Sequence, residues 1–416
     1  MSYEHPQLRS NLRTDNYVLE GDQKYVIVTD VLIQGREVKN KLKMPYDLWQ
    51  IALLMDGQSD KELIRKRASE WYWKELSPGD IEKAIDQLDK YYLLKNDRYE
   101  NRLAEIQIDL SKIEARNTVA LKNAFEPDGD KLLEQIEGLF LSPFGPGRLP
   151  SENQTKSPGL KGVISPHANY AISGPCAAHA YQEIAGAGEY DLFIIIGYNH
   201  IYAENKIETL MKDIITPIGK VAVDTEFGRA LLNRASDLID EGGIANYHEH
   251  SIDMQMPLLK YILRQTEREA RIFPLILSNI PKLFNVDAAF NFRRKARRTA
   301  EAIRDTIAEL NRKTCLIASG DFTHHGPYYG DGDVDDGTLE YIKKFDAGSL
   351  DLIVSGRKDD FYKRALPTKY CCTTPIYLLM SILDPEARGR VLKYYNSWDI
   401  NGESQDINTF ASVAFY

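Results

Sequence analysis

Histidine and aspartate side chains that can bind metals or move protons follow short apolar runs in this sequence. The apolar runs are predicted β-strands, and they span residues 162–165, 192–196 and 315–318. The residues in the polar segments after these runs that can bind a metal or transfer a proton are His167, His200, Asp321 and His324. Because ligands of open α/β sheets bind beyond the carboxyl ends of the strands, we expect these side chains to converge at one edge of a sheet.

Two further polar segments can contribute to the same site. Glu249 and His250 lie in the segment HEHSID, just before a helix predicted to start near Met254. Cys371 and Cys372 lie in KYCCTTP, which opens another predicted helix. A helix N-terminus lowers the pKa of a nearby thiol, so we expect reactive thiols there.

The residue types are compatible with a metal site. Two neutral imidazoles and one anionic ligand can hold a redox metal and leave coordination positions open. His167, His200 and Cys371 could supply such a set, which leaves Asp321 and His324 for orienting and acid–base roles. The spacing alone leaves two alternatives open, a metal site and a metal-free polar pocket.

The elements that would position these residues form an alternating pattern after about residue 117. Apolar runs alternate with helical patterns there, which is typical of a sheet covered by helices. The predicted strands span 162–165, 192–196, 272–277, 315–318 and 410–416. The predicted helices span 128–140, 174–185, 225–240, 254–269, 287–311 and 373–383. The sequence therefore predicts an α/β domain over residues 117–416.

A separate small domain is predicted before it, over residues 1–97. Residues 12–32 indicate a β-hairpin, because two β-rich runs flank Gly21-Asp22. Three short helices follow, and the third has Pro78 in its first turn. A hairpin with three helices indicates a winged-helix-like α+β module, and residues 98–116 indicate a helical linker.

Composition excludes several classes of protein. The 416 residues are 43% hydrophobic and 27% charged, with a net charge of −9, which argues against disorder and against a general nucleic-acid or anionic-membrane binder. We expect no membrane span, because no apolar run approaches the ~18 residues that a span needs. We expect no secretory signal, because the first residues lack a positively charged segment followed by an apolar one. The four cysteines are too sparse for a disulfide framework, so we expect a cytoplasmic protein.

Five motifs carry a resemblance to a known family. They are SPHANYAISGPCAAHAY, IIIGYNH, EHSIDMQMPLL, SGDFTHHG and YCCTTPIY, in this order over residues 117–416. Together they resemble the MEMO family, also called AmmeMemoRadiSam system protein B. The resemblance implies a three-layer α/β fold similar to that of the class III extradiol dioxygenases, which are non-haem iron enzymes.

The resemblance also assigns roles to residues. It implies that His167, His200 and Cys371 occupy metal-binding positions. It implies catalytic positions for four other residues, Asp321, His324, Glu249 and His250. The dioxygenases have a carboxylate where this chain has Cys371, and a thiolate favours copper or an iron with altered redox behaviour over ring cleavage. Cys372 replaces a common glycine of the family, which leaves open which thiol binds the metal.

The first 97 residues resemble the PqqD-like peptide-recognition domains. The resemblance rests on the hairpin, the segment YDLWQIALLMDGQSDKELI and the third helix, within residues 12–97. It implies a peptide ligand that adds as a strand to the hairpin edge. It also agrees with the family name in implying a radical SAM protein as partner. A DNA-binding winged helix is disfavoured, because Asp and Glu recur over residues 56–100.

Two functions follow as hypotheses. The first is a mononuclear iron or copper protein, working with a radical SAM partner on a peptide or small molecule in a redox or oxygen-dependent step. The second is a non-catalytic peptide-binding adaptor with a vestigial dioxygenase-like pocket.

Overall fold

The chain folds into two compact units, one ending at Lys112 and the other beginning at Ile113. The computed structural model describes residues 3–30, 32, 41–72, 75–118, 124–150, 159–200, 207–242, 249–278 and 286–416. His248 lies outside the described residues. No helix within these ranges is both long and apolar enough to cross a bilayer.

The first unit contains a small antiparallel sheet and four helices among its described residues. Its strands are β1 (Arg13–Glu20), β2 (Gln23–Thr29) and β3 (Lys41–Pro45), and its helices are α1 (Tyr46–Leu53), α2 (Lys61–Tyr72), α3 (Pro78–Lys90) and α4 (Asp97–Lys112). The predicted hairpin and three helices are present, and β3 is an addition. The strand order β1-β2-β3 leaves β1 at an edge of the described sheet.

Local sequence explains two features of this unit. Glu20 pairs with Gln23 across a two-residue turn, in which Gly21 adopts a φ of 60° that other residues avoid. The third helix begins with a capping box, since Ser77 accepts from the backbone of Asp80 and Asp80 accepts from that of Ser77. Apolar residues of β2, α1, α2 and α3 pack into one core.

The second unit alternates strands and helices as predicted. Its strands are β4 (Ala115–Asn117), β5 (Gly162–Ser165), β6 (Leu192–Asn199), β7 (Ile207–Thr209), β8 (Asp213–Thr216), β9 (Gly219–Val221), β10 (Asp240–Glu241), β11 (Arg271–Ser278), β12 (Thr314–Ser319), β13 (His324–His325), β14 (Gly389–Asn396) and β15 (Ile407–Phe415). Its helices are α5 (Gly129–Leu141), α6 (Tyr170–Gly186), α7 (Thr225–Ala235), α8 (His250–Asp253), α9 (Met256–Gln265), α10 (Val286–Glu309), α11 (Asp336–Val354), α12 (Lys358–Ala365), α13 (Thr373–Ile382) and α14 (Ser397–Asn401). A single 3₁₀ turn in the described chain covers Pro327–Tyr329.

The main sheet has the strand order β10-β7-β11-β6-β12-β5-β15-β13, and β14 pairs with β15. Its centre is parallel, because β6 lies between β11 and β12, and β5 pairs in parallel with β12. The carboxyl ends of β5, β6 and β12 therefore meet at one edge. A smaller sheet joins β4, β8 and β9.

Helices cover both faces of the main sheet. Val163, Phe193 and Ile195 face one core, which α5, α6 and α9 complete. The intervening residues Ile164 and Ile194 face a second core, formed with α7, α10 and α13. Consecutive side chains of a strand point to opposite faces, so two cores flank the sheet. The predicted three-layer α/β architecture is confirmed.

The sequence analysis missed α11, α12 and several short strands. Helix α11 places Asp346 and Ser349 on its buried stripe beside Ile342 and Ile353. Two polar residues on that stripe hide the helical period that an apolar stripe would show. The strands β7, β9, β10 and β13 are two or three residues long, which is too short for a period to be read.

Candidate metal centre

Three imidazole rings meet at the carboxyl edge of the parallel strands. His167 follows β5, His200 follows β6, and His250 begins α8. The ring centroid of His167 lies 5.1 Å from that of His200 and 5.2 Å from that of His250. The rings of His200 and His250 are stacked at 4.4 Å with an angle of 28°. The structure thus brings together residues from three separate segments of the chain.

Two groups of possible metal ligands occur among the described residues, and they share His167. One consists of His167, His200 and His250, and the other of His167, Asp321 and Cys371. Within each group, the candidate ligand atoms lie within 4.8 Å of one another. The predicted ligands His200 and Cys371 fall in different groups, so their joint binding of one ion stays a prediction.

Hydrogen bonds fix the tautomer of His167. The hydroxyl of Ser319 donates to the carbonyl of Ser251 at 2.6 Å, so it cannot also donate to a histidine ring. Nδ1 of His167 lies 3.1 Å from this same oxygen, which means that Nδ1–H must donate to it. The lone pair of the neutral ring is then on Nε2, which lies 3.2 Å from Sγ of Cys371. Gln255 supports Ser319 by donating from Nε2 at 2.9 Å.

Glu249 holds the other two rings. Its Oε1 lies 2.9 Å from Nδ1 of His200 and 3.1 Å from Nδ1 of His250. The backbone N–H groups of His200 and Ser251 also donate to this carboxylate, at 2.6 and 2.8 Å. Burial raises the pKa of Glu249, but the two histidines lower it further, so the net pKa lies well below its usual range. The ionised carboxylate binds both Nδ1–H groups, so the neutral form of either ring has its lone pair on Nε2. Burial lowers the pKa of His250, but the charge of Glu249 and its hydrogen bond raise it further, so the net pKa of His250 lies above its usual value.

Glycines allow the segments of the site to approach closely. A Cβ on Gly197, in β6, would lie 2.5 Å from the hydroxyl of Ser251. A Cβ on Gly320, directly after β12, would lie 2.5 Å from Cα of Cys372. Neither position has room for a side chain, so these glycines let α8 and the cysteine segment pack against the strand ends.

Cys371 is the thiol that contacts His167. Its Sγ accepts from the backbone N–H of Asp321 at 3.0 Å, in addition to its contact with His167. Burial raises the pKa of both Cys371 and Cys372 well above the usual range. The expectation that the helix N-terminus lowers a thiol pKa is therefore wrong for the metal-free protein. Cys372 is itself the N-cap of α13, and desolvation there outweighs the helix dipole.

Asp321 links the thiol to His167. Its Oδ1 accepts from the backbone N–H of His167 at 2.9 Å, and its Oδ2 lies 3.9 Å from Nε2 of the same residue. Burial raises the pKa of Asp321 to about 6, although hydrogen bonds from the backbone of His167 and Ala168 oppose the shift. Burial, followed by the charges of His200 and His250, lowers the pKa of His167 well below its usual range. His167 is neutral at pH 7, which is the form that binds a metal.

His324 lies beside the two groups and belongs to neither. Its Nδ1 lies 3.0 Å from the carbonyls of Phe322 and Lys369. Carbonyls only accept, so the neutral ring is protonated at Nδ1 and has its lone pair at Nε2. The ring of Tyr329 packs edge-on against it at 5.1 Å. The charge of His324 also makes a minor contribution to the lowering of the pKa of His167.

The donors suit a transition metal. Neutral imidazole nitrogens suit iron and copper, and a thiolate selects softer ions such as copper(I). The Nε2 atoms of His167, His200 and His250 and the Sγ atom of Cys371 are the candidate donors. Their hydrogen-bonded supports are those that metal-binding histidines usually have. The residues present therefore fit a mononuclear iron or copper ion.

Sequence reasoning missed Ser319 and Gln255. Ser319 ends the apolar strand β12 and is fully buried, as is Gln255 at the start of α9. A polar residue at the carboxyl end of an otherwise apolar strand was the available signal for Ser319. No such signal marks Gln255, because its role depends on where α9 packs.

Comparison with known proteins agrees with the motifs. Residues 118–414 match the family model of the Memo-like proteins. A MEMO1 family protein of Methanopyrus kandleri is 31% identical over 301 residues, which are 71% of this chain and 97% of that protein. A MEMO1 family protein of Methanococcus vannielii is 35% identical over 304 residues, with 72% and 98% coverage. The family model leaves residues 1–117 unmatched. The chain belongs to the MEMO family, and residues 118–414 are its Memo-like part.

Proposed function

We propose that this protein is a mononuclear iron or copper protein that carries out a redox or oxygen-dependent step. His167, His200 and Cys371 are the proposed ligands, as the family resemblance implies. The observation that supports this most is the convergence of imidazoles whose Nδ1–H groups are each bound by a buried acceptor. In their neutral forms these rings have their lone pairs on Nε2, and two of the proposed ligands, His167 and Cys371, are 3.2 Å apart.

The chain's own groups have complementary roles in this proposal. A bound redox ion would supply electron transfer or activate oxygen. His324 is the proposed general acid and base, and two carbonyls within 3.0 Å of its Nδ1 orient the ring. Asp321 positions His167 and Cys371: its carboxylate accepts from the backbone N–H of His167, and its own backbone N–H donates to the sulfur of Cys371. Glu249 and His250 complete the pocket as an acceptor and a further imidazole.

Metal analysis tests this proposal. The full chain is purified with and without oxygen, loaded anaerobically with iron(II) or copper(I), and desalted. We expect about one ion per chain for the wild type and a large loss for His167→Ala. His179→Gln is the control, because His179 lies in α6 and bonds to the carbonyl of Phe144 outside the cluster. Equal metal contents in the wild type and His167→Ala would contradict the proposal.

The alternative function is a non-catalytic adaptor that has kept the pocket without its chemistry. The replacement of a carboxylate ligand by Cys371 favours it. An ultraviolet–visible spectrum after anaerobic iron addition distinguishes the two. A thiolate-to-iron charge-transfer band that Cys371→Ser abolishes would support the metal protein, and an unchanged spectrum would support the adaptor.

We also propose that the first unit binds a peptide by strand addition, with a radical SAM enzyme as partner in the cytoplasm. Strand β1 is at an edge of the described sheet, and 70% of Leu19 is exposed on it. In a hairpin with a two-residue turn, the two residues that flank the turn form backbone hydrogen bonds with each other. Along the two strands, hydrogen-bonded residue pairs then alternate with pairs whose N–H and C=O groups point outward. Since Glu20 and Gln23 flank the turn, the N–H of Leu19 points away from β2 and toward an added strand.

Affinity purification from the native cells tests this second proposal. We expect the tagged full chain to retain a radical SAM protein, identified by mass spectrometry. Leu19→Pro removes the outward N–H and leaves the β1–β2 ladder intact, so it should reduce that recovery. Leu141→Ala, which changes an exposed leucine of α5, is the control. The absence of any radical SAM protein from the wild-type eluate would contradict the proposal.

A further inference from the structure

A further buried carboxylate, Asp346, lies on α11, outside the candidate metal centre. Asp346 is fully buried and accepts hydrogen bonds from four hydroxyl groups. These hydroxyls belong to Thr323, Tyr370, Tyr394 and Thr409. An isolated buried carboxylate costs several kcal/mol, and each donor offsets part of that cost only while it keeps its position.

The two oxygens of Asp346 serve different parts of the fold. Oδ1 accepts from Thr323 at 2.8 Å and from Tyr370. Oδ2 accepts from Tyr394 at 2.8 Å and from Thr409 at 2.6 Å. Tyr394 lies on β14 and Thr409 on β15, so Oδ2 is anchored to the sheet.

The residues on Oδ1 lie directly before two site residues. Thr323 precedes His324, and Tyr370 precedes Cys371. The two segments also touch each other, since the ring of Tyr370 packs edge-on against that of Phe322 at 5.3 Å. A single oxygen thus connects the segment with the proposed acid–base residue to the segment with the proposed thiolate ligand.

We propose that Asp346 is a positioning residue, which sets the place of Cys371 relative to His324 and His167 through Tyr370 and Thr323. This inference rests on the proposed metal-binding function. Glu249 holds the rings of His200 and His250, and Asp346 holds the segment that carries the proposed sulfur ligand. Ser349, whose hydroxyl lies 3.2 Å from that of Tyr370, supports the same tyrosine.

Cobalt(II) substitution tests the inference, because the thiolate-to-cobalt absorption band reports the placement of the sulfur and not only the stability of the fold. Tyr370→Phe and Tyr394→Phe each remove one hydroxyl from the same carboxylate, on opposite oxygens. We expect Tyr370→Phe to shift or weaken the band and to lower cobalt affinity about 10- to 100-fold, as losses of such supporting groups do. Tyr394→Phe should leave the band unchanged and the affinity within about twofold. Thermal unfolding of each variant shows that it is folded.

The variant Asp346→Asn is a second test of the same inference. Its amide group places N–H donors against hydroxyls that now donate to Asp346, so the band should change as in Tyr370→Phe. Equal spectra and affinities for Tyr370→Phe and Tyr394→Phe would overturn the inference about Asp346 and leave the proposed metal-binding function standing. A wild-type band in folded Asp346→Asn would do the same. A wild-type protein that binds no cobalt would overturn the proposed function, and this inference with it. Cys371→Ser identifies the band as sulfur-based.

Discussion

Ser319 holds His167 in the tautomer that presents Nε2, because its hydroxyl proton is committed to the Ser251 carbonyl and only its lone pairs face the ring. The same oxygen accepts from Gln255, so three segments of the chain meet on one serine. This relationship gives Ser319, which is not among the proposed ligands, a role in orienting His167 toward the proposed metal.

Ser319→Ala should therefore weaken metal binding about 10- to 100-fold, since His167 loses the acceptor that orients it. The measurement is a competition titration with iron(II) or copper(I). Ser165→Ala is the matched control, because Ser165 is an equally buried serine at the end of the neighbouring strand β5. Among the described residues, its hydroxyl has only a 3.5 Å contact to the carbonyl of Pro166. The same loss of affinity in both variants would show that Ser319 has no specific role.

Gly320→Ala should destabilise the fold by about 1–3 kcal/mol, because the new methyl group overlaps the backbone of Cys372. It should also displace Cys371, and metal content should fall. Gly332→Ala is the control, since a Cβ at that position would have no heavy atom within 4 Å and its φ is not in the left-handed region. Denaturant unfolding measures both, and equal stabilities would contradict the steric argument.

Arg116→Met should cost about 3–5 kcal/mol of unfolding free energy, because it removes the guanidinium that pairs with the buried carboxylate of Asp253. Arg116 on β4 makes a two-point ion pair with Asp253 at 2.6 and 2.9 Å, and both side chains are almost wholly buried. Asp253 ends α8, the helix that His250 begins. Arg357→Met, which breaks an exposed pair with Asp360, should cost about 0–1 kcal/mol. Urea unfolding compares the two, and similar losses would argue against the buried pair.

Acid should destabilise the protein partly through His179. Burial lowers the pKa of this residue from 6.5, and its Nε2 lies 3.1 Å from the Phe144 carbonyl. The unfolded chain therefore binds the proton first as the pH falls below about 6.5, so stability decreases until the folded pKa is reached. His179→Gln keeps a donor and removes the titration. Melting temperatures at pH 7.5, 6.0 and 5.0 should fall less steeply for this variant, and parallel slopes would exclude a contribution from His179.

Sequence predicted the parts of this molecule that depend on short-range pattern. The ends of β5, β6 and β12 could be predicted because their apolar runs stop at polar residues. Parallel pairing of these strands then brings His167, His200 and Asp321 to one edge of the sheet. Long-range packing decides the rest. The desolvation of Cys371, the hydroxyl cluster on Asp346 and the support of Ser319 by Gln255 depend on segments tens of residues apart.

Glu249 accepts at both oxygens and shares Oε1 between two rings. A carboxylate with this many N–H partners has little capacity left to accept another proton, and neither ring can rotate without disturbing its neighbour. Glutamine at this position would offer one acceptor oxygen in place of two and would direct an amide N–H at an existing donor. A change of one atom at Glu249 would therefore loosen the rings of His200 and His250 together. We expect Glu249, which is not itself a proposed ligand, to tolerate very few substitutions.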